Sequence, residues 1–393
     1  MNQKYIKTAA YYLAFILLGL GSGAEGPTLL KLADHTSSAL SQISKIFFFG
    51  SLGYLLGSLL GGWIYDRVSG HRFMAGILVS LGILIALVPL ATSLWVLLAI
   101  VLVLGFTKGA LDVGCNTLLL WVHNETVGPF MNGLHAFFGL GAFIAPLMVA
   151  WSLASTGDIY WVFWIFAILA LPIAALVWSL PSPASRAVPA QHENAPFPIL
   201  PVLLMVLCFV LYVGSEVGYG NWIYTYAFKL NFETEVTAAY LTSAFWGSFT
   251  LGRLFGVWVS TRMKPALILS IDFAGCLISL GLILFFQESS TVLWVATILL
   301  GISQASIFAT FMTLAEERIH ITGTVAGLFL LGAGVGGMIL PWSIGQVFDK
   351  VGPTAMMGMI FVDVLLNILI FFLFTRVSAK PRSAVVQSTA ITE

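Results

Sequence analysis

The chain has 393 residues, of which 59% are hydrophobic and 9% charged, and its 17 basic residues balance 17 acidic ones. An ordinary soluble domain is about 25% charged, so most of this surface faces something other than water, and the charge balance leaves no basic face for nucleic acid. Cys115, Cys208 and Cys276 sit inside apolar runs without metal-ligand spacing, which argues against a disulfide framework or a metal cluster.

The first apolar run, Thr8 to Leu30, exceeds the roughly 7–15 residues of a signal-peptide core and reads as a membrane helix. Since a spanning helix needs about 20 apolar residues, the runs that follow predict helices over 8–32, 43–65, 72–91, 94–121, 129–154 and 159–180. A second set is predicted over 199–228, 235–260, 264–286, 291–315, 322–348 and 354–376. The fold class is therefore an all-α membrane protein of twelve transmembrane helices in two pseudo-symmetric six-helix bundles. Residues 1–180 form the first bundle, 181–198 a proline-rich cytoplasmic linker, 199–377 the second bundle and 378–393 a cytoplasmic tail. With the N-terminus inside, eleven basic residues fall on cytoplasmic loops and tails, and four (Lys31, Lys45, Lys229 and Lys350) on the outside. That bias places both termini in the cytoplasm of a cell whose inner (plasma) membrane holds the protein.

The two halves repeat. Gly57-Ser-Leu-Leu-Gly61-Gly-Trp63-Ile-Tyr-Asp66-Arg67 aligns with Gly252-Arg-Leu-Phe-Gly256-Val-Trp258-Val-Ser-Thr261-Arg262 at an offset of 195. Gly139, Gly141 and Pro146 match Gly334, Gly336 and Pro341 at the same offset. Such internal symmetry is a mark of transporters.

An ionisable side chain at a helix centre costs roughly 2.5–3.5 kcal/mol on insertion scales, so it persists when paired, hydrated or useful. Lys108, Asp112 and Asn116, spaced four apart, form one polar stripe that must face the bundle interior. The stripe reads either as a self-neutralising Lys108–Asp112 pair or as a substrate and proton or cation site. Asn132 and His135 are neighbours one turn apart on the fifth helix. Glu25 lies in Gly19-Leu-Gly21-Ser-Gly23-Ala-Glu25-Gly26-Pro27, and Glu216 in Gly214-Ser-Glu216-Val-Gly218-Tyr-Gly220-Asn221. Both stretches predict a broken helix at matching positions of the halves, which points to a midplane binding site. Tyr219, Asn221 and Trp222 then offer polar-edged aromatic surface for a sugar ring; Tyr224 and Tyr226 read equally well as interface anchors. Arg253 is a partner for a carboxylate, and Asp272 and Asp363 read as structural.

Gly62-Trp-Ile-Tyr-Asp66-Arg67-Val-Ser-Gly70-His71-Arg72 resembles the loop signature of the major facilitator superfamily. The resemblance implies a cytoplasmic gate formed by Gly62, Asp66, Arg67 and Arg72, one-sided because the second copy has Thr261 in place of Asp. Gly26-Pro-Thr-Leu-Leu30, Gly53-Tyr-Leu-Leu-Gly57-Ser, Asp112 with Asn116, Leu134-His135 to Gly141 and Glu216 to Asn221 are similar to the fucose permease-like and sodium-dependent glucose transporter-like branch. That branch implies uptake of a hexose or related sugar coupled to H⁺ or Na⁺. It makes Glu25 and Asp112 the ion-coupling residues, with Lys108, Asn116, Asn132, His135, Glu216, Tyr219, Asn221 and Trp222 around the substrate. Lys108 departs from the branch pattern. No cofactor beyond the coupling ion, no metal and no catalytic residue is expected. The expected partners are the lipid bilayer and a small solute, with the chain a monomer. An exporter of drugs or amphipathic metabolites on the same fold stays open. A non-transporting sensor is less favoured because the tail beyond Arg376 is short.

Overall fold

The computed structural model describes residues 3–184 and 198–378, and these are helical apart from short connections. Most of the expected linker and of the expected tail lies outside the described residues. In chain order the helices are α1 (Gln3–Gly23), α2 (Glu25–His35), α3 (Leu40–Ile43), α4 (Lys45–Tyr65), α5 (Gly70–Leu87), α6 (Leu94–His123), α7 (Gly128–Thr156) and α8 (Tyr160–Ser179). There follow α9 (Ile199–Lys229), α10 (Glu235–Ser260), α11 (Pro265–Phe285), α12 (Ser290–Gln304), α13 (Ile307–Arg318), α14 (Gly323–Val351) and α15 (Thr354–Val377).

Eleven segments are long and apolar enough to cross a membrane. Beside them α10, with 26 residues, is long enough but less apolar. Thr237, Thr242, Ser243, Ser248, Thr250 and Arg253 lower its hydropathy, while its buried face packs on α7, α9 and α12. Counting α1 with α2 and α12 with α13, it completes the expected twelve.

Proline explains the first break. Pro27 has no amide hydrogen, so the carbonyl of Gly23 loses its helical partner. Backbone bonds resume on either side, from Ala24 to Leu20 at 3.2 Å and from Thr28 to Ala24 at 3.1 Å. The matching break expected around Glu216 is absent: α9 runs unbroken through it. The glycines there serve close packing instead. Gly214 and Gly218 face Leu340 and Ile344 of α14, and Gly220 faces Trp246 of α10. The second half breaks at Ala305–Ser306, between α12 and α13.

Packing repeats between the halves. The pairs α1–α7, α4–α6, α5–α8 and α1–α8 recur as α9–α14, α10–α12, α11–α15 and α9–α15. The α4–α6 seam is one of the tight ones: a Cβ on Gly53 or Gly57 would run into the backbone oxygen of Leu102 or Phe106. Small residues that admit such approach are how membrane helices associate. Gly57→Val should therefore destabilise the first half by about 1–3 kcal/mol, the usual cost of overpacking. Thermal unfolding in detergent would show it as a lowered midpoint, and an unchanged midpoint would contradict this seam.

Candidate functional site

The halves meet where α2 packs on α9 and α10, where α3 and α4 pack on α14, and where α7 packs on α10. At the crossing of α2 and α9, a Cβ on Gly26 would meet the backbone of Asn221, which is buried there. From this level the inter-half bonds run toward α3. Ser243 Oγ donates to the Phe143 carbonyl at 2.6 Å, and Lys31 pairs with Glu235 at 3.2 Å. Gln346 Nε2 donates to the Ser41 carbonyl at 2.7 Å and to Ser44 Oγ at 3.1 Å, while the Ser41 amide donates to Asp349 at 2.9 Å. The α3 end is closed.

The opposite end, carrying the α4–α5 loop, differs. Asp66, Arg67 and Arg72 are exposed and make no ion pair among the described residues. Arg67 folds back on its own helix, donating to the Trp63 carbonyl at 2.8 Å with its guanidinium 4.1 Å from the Trp63 ring. Arg262 repeats this over Trp258, also at 4.1 Å. Gly62 is half-buried with only Val113 near it, and a Cβ on Gly128, Gly323 or Gly327 would meet nothing within 4 Å. The expected gate residues thus stand apart from the second half in this state.

Between these ends lie the polar groups of the midplane. Lys108 is 9% exposed and donates to Glu25 Oε1 at 2.6 Å, joining α6 to the start of α2. Asp112, one turn on, does not share that cation. Its Oδ1 accepts from Asn116 Nδ2 at 2.9 Å and its Oδ2 from the Tyr54 hydroxyl on α4. The stripe therefore splits into an ion pair and a carboxylate held by two neutral donors. Tyr54 is not among the site residues expected from sequence, although it stands within the glycine motif of the second span.

On the second-half side, Glu216 is half-buried, with Tyr212 one turn before it and the charge of Arg253 acting on it from α10. Arg253 lies 4.5 Å from the Phe249 ring, and its charge also reaches His135 of the first half. His135 and Asn132 are exposed on α7, His135 edge-on to Phe15 at 5.7 Å. The structure thus brings Glu25, Lys108, Asp112 and Asn116 together, while the charge of Arg253 reaches both Glu216 and His135.

Tyr219 and Trp222 lie elsewhere. Tyr219 is fully buried and shares a 2.7 Å hydrogen bond with Thr297, while Trp222 donates to the Pro341 carbonyl at 2.9 Å and stacks on Phe348. Tyr224 and Tyr226 are buried rather than placed at a lipid interface. An aromatic run on a helix shows its face only once the packing of α9 against α10 and α14 is known.

Lys108→Ala would leave the Glu25 carboxylate without its cation. Breaking a fully buried pair costs roughly 3–5 kcal/mol. The loss here should fall below that, because the Glu25 side chain is 39% exposed. In a double-mutant cycle of thermal stabilities, Lys108→Ala with Glu25→Ala should lose less than the sum of the single changes. Additive losses would remove the pair.

A family model for the Major Facilitator Superfamily matches residues 11–341. The chain belongs to this superfamily. It is a multi-pass membrane transporter, as its helices and its relatives agree. This facilitator is 29% identical to "Sodium-dependent glucose transporter 1" of Xenopus laevis over 353 residues, 82% of this chain and 72% of that one. It is 28% identical to the Homo sapiens protein of the same name, over 86% of this chain and 72% of that one. It is also 26% identical to "Major facilitator superfamily domain-containing protein 4A" of Homo sapiens, over 93% and 91% respectively. Among solved structures, the nucleoside transporter NupG superposes with a TM-score of 0.72 at 15% identity, covering 96% of this chain and 99% of NupG. Likeness at that identity concerns the fold.

Proposed function

We propose that this facilitator moves a hexose or related small sugar across the inner membrane by alternating access, coupled to H⁺ or Na⁺. The observation that carries the reading is the unequal treatment of three carboxylates at the midplane. Glu25 is paired with Lys108 and Glu216 lies within the field of Arg253, whereas Asp112 is held by the neutral donors of Tyr54 and Asn116. A half-buried carboxylate with no counter-charge in contact is costly, so Asp112 is the group that a proton or Na⁺ neutralises during the cycle. Glu25 keeps a coupling role through Lys108, whose cation it holds while Asp112 is loaded.

The sugar sits between the halves. His135, Asn132 and Asn116 offer hydrogen bonds to its hydroxyls, and Glu216 with Arg253 faces it from the second half. Asn221 fixes the crossing of α2 and α9, and Tyr219 and Trp222 brace the second half. With the α4–α5 loop in the cytoplasm, as the basic residues favour, the open end faces inward. The two termini are then cytoplasmic, and Gly62, Asp66, Arg67 and Arg72 close that side in the opposite state. The relatives named as sodium-dependent glucose transporters support both the sugar and Na⁺ as the first ion to try.

The test is uptake of labelled hexoses into liposomes holding the purified protein, under Na⁺ and H⁺ gradients imposed separately. Accumulation of one sugar under one gradient is expected. No accumulation under either, from folded protein, would overturn the reading in favour of export.

A further inference from the structure

We infer that Asp272 is a proton-binding carboxyl, set in the second half at the break between α12 and α13 and apart from the midplane site. Asp272 lies on α11 and is 9% exposed. Its Oδ2 accepts a hydrogen bond from Ser306 Oγ, and Ser306 belongs to the two-residue break. The break is braced from its other side by α9. The Tyr212 hydroxyl donates to the Gln304 carbonyl at 3.0 Å, and Gln304 Nε2 donates to Ser215 Oγ at 3.3 Å. A line of polar groups therefore runs from Glu216 and Tyr212, beside the transport site, to the buried Asp272.

Among the described residues no cation meets Asp272. The groups that act on it are Ser306 and, one turn along α11, the thiol of Cys276. From α10, Arg253 lies over the Phe249 ring and Arg262 over Trp258, and neither forms an ion pair with Asp272. The ionisable residue inside α15, which packs on α11, is Asp363, itself a carboxyl, whose Oδ2 has no hydrogen-bond partner among the described residues. The remaining bases nearby in sequence, Lys264 before α11, Arg318 at the end of α13 and Arg376 near the end of α15, sit at helix ends. A lone ionised carboxylate in such a place is far costlier than a neutral acid, and one hydroxyl does not offset the difference. A metal cation would demand several oxygens around it, and among the described residues the one hydroxyl bonded to the carboxyl is that of Ser306. A proton needs no such shell: it rests on Oδ1 while Oδ2 keeps accepting from Ser306.

Asp272 holds its proton whichever solute is carried, and a measurement without transport reads it. Infrared difference spectra of the purified protein in lipid at neutral pH should contain the carbonyl stretch of a protonated carboxylic acid that Asp272→Asn removes. Asp363→Asn serves as the control that separates the other buried carboxyl. Ser306→Ala should move the same band to higher frequency, because the carbonyl oxygen loses its donor, and this readout stands if Asp272→Asn folds poorly. A spectrum unchanged in both variants would overturn the proposal, as would a band that appears only when Na⁺ is withdrawn, which would make Asp272 a sodium ligand.

Discussion

Replacing Asp112 with Asn should abolish gradient-driven accumulation while leaving exchange of the same solute across the membrane. The amide has the shape of the carboxyl and can satisfy both neighbours. Its oxygen accepts from Asn116, and its NH₂ meets the Tyr54 hydroxyl, which turns to accept. The first half therefore keeps its packing, yet position 112 is locked in the uncharged form that a proton or Na⁺ otherwise creates. Both states of the cycle then become reachable without the ion. Counterflow against a trapped solute should persist, whereas accumulation under the driving gradient should fall to the equilibrium level. Glu25→Gln should behave differently, because it strands the Lys108 ammonium at 9% exposure and so lowers stability as well as transport. Tyr54→Phe removes one of two donors and should weaken coupling without erasing it. Undiminished accumulation in Asp112→Asn would move the coupling role away from this residue.

How far the sequence reaches is visible at the same residues. The stripe Lys108, Asp112, Asn116 follows from helical spacing alone, and so does its inward direction. The choice of partners does not. Lys108 bonds Glu25, 83 positions away, rather than the carboxylate one turn along its own helix. That outcome depends on how α1, α2 and α6 are rotated about their axes, which periodicity leaves free. Glycine clusters carry a related ambiguity. Around Glu25 the glycines accompany Pro27, and the helix breaks; around Glu216 they admit Leu340, Ile344 and Trp246, and it does not. The distinguishing signal is the proline. The repeat at offset 195 is more reliable: Trp63 with Arg67 and Trp258 with Arg262 adopt the same folded-back geometry in the two halves. The polar α10 shows the converse case. It is less apolar than its neighbours, and its place in the repeat supports the span over 235–260 that its apolar residues predict.

Joining Ser41 to Asp349 covalently should stop transport. The α3 end is held shut by contacts that are individually weak. The Lys31 and Glu235 side chains keep 20% and 33% of their surface exposed, and pairs of that kind are worth about 0–1 kcal/mol. Asp349 caps a helix of only four residues, α3, from the other half of the molecule. Weak, exposed bonds suit a gate, because each side of an alternating-access protein must open within every cycle. A disulfide across the same contact removes that freedom while leaving the closed geometry intact. In Ser41→Cys/Asp349→Cys the two thiols stand on either side of a contact whose backbone-to-carboxylate hydrogen bond is 2.9 Å, so the residues face each other across the interface between the halves. Cys115, Cys208 and Cys276 are buried and leave the new pair to react alone. Oxidised protein in liposomes should lose nearly all uptake and counterflow, and a reductant should restore them. Either single substitution should cost little, since the remaining bonds from Gln346 to Ser41 and Ser44 and from Lys31 to Glu235 persist. Full transport by the cross-linked form would mean that this end stays closed throughout the cycle, and alternating access between the two ends would have to be abandoned.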